Sequence, residues 1–215
     1  MSELKQALLE ELLSSQDLST WSPYEHKFFG DTTRALSFFG EVSGEKAELF
    51  ISQLFHLEKL NDEEPITVYL NTEGGSLTDG LAIYDAIKTI SCPVILVTTG
   101  LCSSAGLIIL SAADYRIATP TTTFFYHQPV VHSGSIDSID GMKSFAHYYE
   151  HCQKVADKII RERTEMKKSV WNLNFKNKTS FYFSTQEALD FNLIDSVMDS
   201  RKYEVSFEKD EEDDE

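Results

Sequence analysis

The sequence predicts an α/β domain, and three observations carry that prediction. Apolar, β-branched runs at 66–70, 93–99, 115–118 and 123–126 alternate with segments whose apolar residues recur at helical spacing. The run at 93–99 is apolar at consecutive positions, as expected of a strand buried on both faces of a parallel sheet. A chain of 215 residues, 41% of them apolar, is long enough to enclose one sizeable core.

The elements follow in order. Residues 3–13 read as a short amphipathic helix, and 14–33 are polar with scattered aromatics and take no clear element. A strand is expected at 36–42. A helix follows at 46–60, where Leu49, Phe50, Leu54 and Leu57 keep helical spacing. The strand 66–70 runs into the turn Asn71-Thr72-Glu73-Gly74-Gly75, and Ser76 stands where a cap for the next helix belongs. That helix carries Leu81, Ile83, Tyr84 and Ile87. After the strand 93–99 comes a helix of small and apolar residues at 104–113. The strands 115–118 and 123–126 are separated by Pro120. A long helix spans 141–163, and a mixed segment leads to Ser184-Thr185-Gln186-Glu187, a capping-box pattern opening a last helix. No repeat or linker divides the chain. The segment 201–215 is an acidic tail, expected to be solvated and disordered.

Composition removes several function classes. The formal net charge is -16, which disfavours binding to a phosphate backbone. No apolar run reaches the ~18 residues a membrane helix needs. The start Met1-Ser2-Glu3-Leu4-Lys5 lacks a basic, then apolar, secretory leader, so the expected compartment is the cytoplasm. Cys92, Cys102 and Cys152 form no CxxC pair, which suits a reducing compartment. Neither a cofactor motif nor a metal site is expected.

Chemistry concentrates in three motifs. Ser104 stands where a strand is expected to meet a helix, within Gly100-Leu101-Cys102-Ser103-Ser104-Ala105-Gly106. Such a junction exposes a side chain and aims free helix N–H groups at the same place. A serine acts as a nucleophile when a base takes its proton and donors hold the oxyanion. The Ala105 N–H is one candidate donor, and the backbone of Gly74-Gly75 offers a second. His127, at the end of an apolar strand, is the candidate base. Each motif alone also has a plain structural reading: a packed helix start, a tight turn, a satisfied histidine.

Taken together, Gly74-Gly75-Ser76, Gly100-x-x-x-Ser104-x-Gly106 and His127-Gln128-Pro129 resemble the Clp protease proteolytic subunit in order and spacing. Phe39-Gly40-Glu41-Val42, Gly80-Leu81-Ala82-Ile83-Tyr84-Asp85, Ser184-Thr185-Gln186-Glu187-Ala188 and Leu193-Ile194-Asp195 extend the resemblance over roughly 36–198. The resemblance implies a ClpP/crotonase-like fold of stacked ββα units with a protruding handle helix at 141–163. It implies a domain over 36–200 preceded by a divergent segment at 1–35. By position, Ser104 matches the nucleophile, His127 the base, and the N–H groups of Gly75 and Ala105 the oxyanion hole. It further implies a homo-oligomer of two stacked heptameric rings, polypeptide substrates, and an ATP-driven Clp-type unfoldase as partner.

One position departs from the family. Its triad aspartate stands four residues before the serine that opens the Ser-x-x-Glu-Ala helix, and here that position is Ser180. No Asp or Glu lies between Lys167 and Thr185. Another polar group (Ser180, Thr179, Asn172, Asn174 or Asn177), an acid from elsewhere, or an impaired site are the outcomes open to the sequence. Residues 1–35 also do not resemble the family's N-terminal loops. A catalytically weak or inactive ring subunit, and a crotonase-fold acyl-CoA enzyme, are the alternative functions. His147-Tyr148-Tyr149-Glu150-His151 matches an H-x-x-E-H zinc pattern, but it falls on the expected handle helix, where an ion-pairing glutamate on a solvated face is the simpler reading.

Overall fold

The computed structural model describes residues 34–128, 138–164, 166–176 and 180–198. The helix expected at 3–13 and the tail at 201–215 lie outside them. Five parallel strands form the main sheet: β1 (Ala35–Phe39), β2 (Ile66–Thr72), β3 (Val94–Ser103), β4 (Tyr115–Ala118) and β7 (Ser196–Val197), in the order β1-β2-β3-β4-β7. Strand β5 (Thr123–His127) pairs with the far end of β3, and β6 (Ser180–Ser184) adds antiparallel to β5.

The division of β3 positions the site. Its first half pairs with β4 through Ile95 to Thr98, and its second half pairs with β5 through Leu101 to Ser103. Gly100 lies between the halves at φ 65°, a left-handed conformation that glycine adopts without a steric penalty. There the pairing with β2 slips by two residues, from Leu70↔Thr98 to Thr72↔Cys102. The Asn71 side chain occupies the slip, accepting from the Leu101 N–H at 3.2 Å. The strand expected at 93–99 thus continues through Ser103 and carries the serine motif onto the smaller β3–β5–β6 layer.

Helices close the core. In α1 (Gly44–Leu60), Ala47, Phe50, Leu54 and Leu57 are buried, a stripe of helical period, while Leu49 faces outward. Helix α2 (Leu77–Thr89) buries Gly80, Ile83, Ala86 and Ile87. All eight residues of α3 (Ala105–Ala112) are buried, so it is a core helix without a polar face. A Cβ on Gly80 would lie 3.1 Å from the Ala105 Cβ, which sets how closely α2 and α3 approach. Each fully buried Leu or Ile in this core, such as Leu54, Ile66 or Ile83, contributes about 1.5–3 kcal/mol.

The long helix α4 (Ile139–Thr164) begins two residues before the expected 141 and is half-buried along one side. A short helix α5 (Lys168–Trp171) and a π-helical turn (Asn172–Lys176) lead into β6. The mixed segment therefore ends in a strand. Its inner residues explain why: Phe183 stacks on Phe124 at 5.3 Å, and Phe175 packs edge-on against Phe183, Phe181 and Tyr126. Helix α6 (Thr185–Asp190) opens with the full capping box of Ser184 and Glu187. Asp195 then takes the Arg116 guanidinium at 2.7 and 2.9 Å, fastening the chain after α6 to β4. No helix among the described residues is long and apolar enough to cross a membrane.

Candidate active site

Ser104 is the single residue between β3 and α3, and its backbone is held at φ 55°, ψ -117°. A non-glycine residue there costs on the order of 1–3 kcal/mol and persists only when its surroundings dictate it. They do so here. The Ser104 N–H donates to the Phe125 carbonyl at 2.8 Å, and its own carbonyl accepts from the Leu107 N–H at 3.0 Å. The sharp turn lifts the side chain off the strand to the mouth of a cleft, in the manner of a nucleophile elbow.

Gly74 backs the serine. A Cβ on Gly74 would stand 2.6 Å from the Ser104 Cβ and 2.7 Å from the Ser103 carbonyl oxygen, so glycine alone fits. The Thr72 hydroxyl holds this turn from below. It accepts from the Gly74 N–H at 3.0 Å and donates to the Gly40 carbonyl at 2.6 Å. Val42 bonds to both neighbours of Gly75, the Gly74 carbonyl at 2.7 Å and the Ser76 N–H at 2.8 Å. In that parallel bridge the N–H of Gly75 points away from Val42. Ala105 is the first residue of α3, so its N–H has no intrahelical acceptor. Two backbone donors therefore flank Ser104, one from the diglycine turn and one from the helix start.

His127 ends β5, two residues from the Phe125 carbonyl that holds Ser104. It lines the same cleft as Ser104, Gly75 and Ala105, a space of about 250 Å³. Its ring stacks on Phe125 at 5.3 Å, and Phe125 stacks in turn on Tyr182 at 3.9 Å. The His127 Nδ1 lies 2.7 Å from the main-chain carbonyl of Gln128. Ser180 is the β6 residue directly opposite His127, so the two side chains leave the same face of the hairpin. The structure brings Ser104, His127, Gly75 and Ala105 to one cleft, with Ser180 across the strand pair.

Sequence reasoning missed three contributors. The Gln128 carbonyl carries no side-chain signature. Thr72 and Asn71, which brace the diglycine turn and the β3 slip, sit in an ordinary polar turn. In the H-x-x-E-H segment, Glu150 pairs with Lys154 at 2.7 Å, which holds its carboxyl below the usual range, and His147 and His151 are exposed. Among the described residues no cluster of three His, Cys, Asp or Glu side chains is arranged to hold a metal ion.

A model of the Clp protease family matches residues 27–201, most of the chain. The chain belongs to the Clp protease family. Among curated Clp relatives, the ATP-dependent Clp protease proteolytic subunit of Streptococcus sanguinis is 30% identical over 169 residues, 78% of this chain and 85% of that one. The proteolytic subunit 2 of Treponema pallidum is 29% identical over 171 residues, 79% of this chain and 84% of that one. Among solved structures, a ClpP1 mutant from Listeria monocytogenes superposes with a TM-score of 0.69 at 29% identity, covering 79% of this chain and 93% of that one. The Clp fold expected from the sequence is the fold observed.

Proposed function

We propose that this Clp-family chain is a serine endopeptidase that hydrolyses unfolded polypeptides through Ser104 and His127. The supporting observation is the strained Ser104 elbow, facing one cleft with His127 and flanked by the Gly75 and Ala105 N–H groups. In this reading the His127 Nδ1–H donates to the Gln128 carbonyl, which leaves the Nε2 lone pair free. Nε2 takes the Ser104 proton as Oγ attacks the peptide carbonyl carbon. The tetrahedral oxyanion accepts from Gly75 and Ala105. Nε2 then protonates the leaving amine, and water repeats the steps on the acyl-serine to release the acid.

A carbonyl fixes the imidazole tautomer as a carboxylate would, but it brings no negative charge to the imidazolium. Losing a triad acid costs on the order of 10⁴ in kcat and leaves residual catalysis. The neutral acceptor therefore also favours a second reading, a ring subunit of low activity. Assembly into two stacked heptameric rings, and feeding by an ATP-driven unfoldase, are what the resemblance to the family implies and belong to the same proposal; the relatives' names support the ATP-dependent, proteolytic part of it.

Treatment with a small fluorophosphonate, followed by intact mass spectrometry, tests the chemistry. One adduct on Ser104 is expected, absent in Ser104→Ala. An assembled particle that takes no adduct overturns the peptidase reading. Native mass spectrometry tests assembly, and a monomer contradicts the chambered arrangement.

A further inference from the structure

The cleft that holds Ser104 continues along one face of α4, past Tyr149, Cys152, Gln153, Ala156 and Ile160. These residues recur at three- and four-residue steps, so they form one wall. Leu77 and Ile108 close the opposite side. Apolar side chains such as Leu77, Ile108, Ala156 and Ile160 share these walls with polar ones, and one polar cluster is built around Gln153. The Tyr126 hydroxyl donates to Asp157 Oδ1 at 2.6 Å. The Gln153 Nε2 donates to the Tyr126 oxygen at 3.0 Å and to the same Asp157 oxygen.

This cluster fixes which way the Gln153 amide faces. A carboxylate only accepts, so the NH2 must turn towards Asp157. The Tyr126 proton is committed to Asp157, so the Tyr126 oxygen also needs a donor, and the NH2 serves both. The Gln153 Oε1 is then left over, and it has no partner among the described residues. Because Gln153 lines the cleft that holds Ser104, Oε1 is the acceptor this residue has left to offer a side chain entering there.

Resting on the reading of Ser104 as a nucleophile, we propose that Gln153 sets specificity, selecting substrates whose residue on the acyl side of the cut bond ends in a hydrogen-bond donor. An apolar tip would desolvate Oε1 without replacing its hydrogen bond, and a carboxylate would oppose both Oε1 and Asp157. The acceptor would act through hydrogen bonding to the substrate tip, so its effect falls on the choice between tips of equal size.

Peptidyl diphenyl phosphonates that differ only in that residue test this in the full-length protein. The reading is the rate of adduct formation on Ser104, with lysine compared to norleucine and glutamine compared to methionine. Each pair is nearly isosteric, and each ratio is taken within one protein, so differences in nucleophile strength cancel. In the wild type the donor tips are expected to react about tenfold faster. In Gln153→Met both ratios fall towards one. Asp157→Asn, which removes the reason for the amide to face inward, lowers them as well and covers a folding defect in the first variant. Ratios at or below one in the wild type, or ratios unchanged in both variants, overturn the proposal while leaving the nucleophile in place. If neither these probes nor the small fluorophosphonate modify Ser104, the function reading fails and this inference fails with it.

Discussion

The two halves of the cleft are held by different physics. On the side of Gly74, Gly75 and Ser104, sterics leave no freedom. Gly74 could not carry a Cβ, Gly106 would place one 2.5 Å from the Thr72 methyl, and Ser104 is locked in a conformation few residues accept. On the side of His127, the ring is held by one main-chain carbonyl and by a stack of Phe125 and Tyr182, with exposed Ser180 across the hairpin. Geometry is strongly enforced around Ser104 and the diglycine turn. It is weakly enforced around His127, whose ring meets a neutral carbonyl and an aromatic stack. The first half has little tolerance for change and the second has room to improve.

The largest expected effect breaks the rigid half. Gly74→Ala drives a methyl into the Ser104 Cβ and the Ser103 carbonyl, so the elbow must shift. Displacing a reacting group by about 1 Å costs on the order of 100-fold in rate. Stability should fall by about 1–3 kcal/mol. Phosphonate labelling rates and urea titration read the two effects, and an unchanged labelling rate would show that the wall is less rigid than its contacts indicate.

Ser180→Asp tests the other half with a smaller effect of opposite sign. The new carboxylate would stand directly across from His127 on an exposed strand position, so the fold is not challenged. It would supply the charge that the Gln128 carbonyl lacks, and peptide hydrolysis should rise by about tenfold or more, within the ~10⁴ that a triad acid is worth. A rate that stays level or drops would mean that the carbonyl already does all that an acid could.

The smallest effect concerns the stack. Tyr182→Ala removes the outer ring from Phe125 and loosens the support of His127. A stacked pair is worth about 0.5–1.5 kcal/mol, so a loss of roughly 2–10-fold in rate is expected. Tyr182→Phe keeps the ring and should keep the rate. If both variants fall equally, the hydroxyl matters and the stacking account is wrong.

The order of strands and helices was legible because it rests on local patterning. The apolar run at 93–99, the helical spacing of Phe50, Leu54 and Leu57, and the Ser184–Glu187 capping box each encode their element within a few residues. The diglycine turn and the Ser104 junction were legible for a related reason, since only very small residues fit where two backbones touch. Strand β6 was not. Its Phe181 and Phe183 do alternate, but the run is short, and its reason to be a strand is the row of rings on β5 that it covers.

The sequence by itself determined that a serine at a strand–helix junction, a diglycine turn and a histidine after a strand would share a site, and that no acid occupies the expected place. Tertiary structure decided what the His127 Nδ1 meets, the main-chain carbonyl of Gln128 at 2.7 Å. Every residue has a carbonyl, so no side-chain pattern could single out that of Gln128. It also decided what lines the cleft beyond Ser104, because Tyr126, Gln153 and Asp157 meet only when α4 packs over β5, with Tyr126 and Asp157 31 positions apart in the chain.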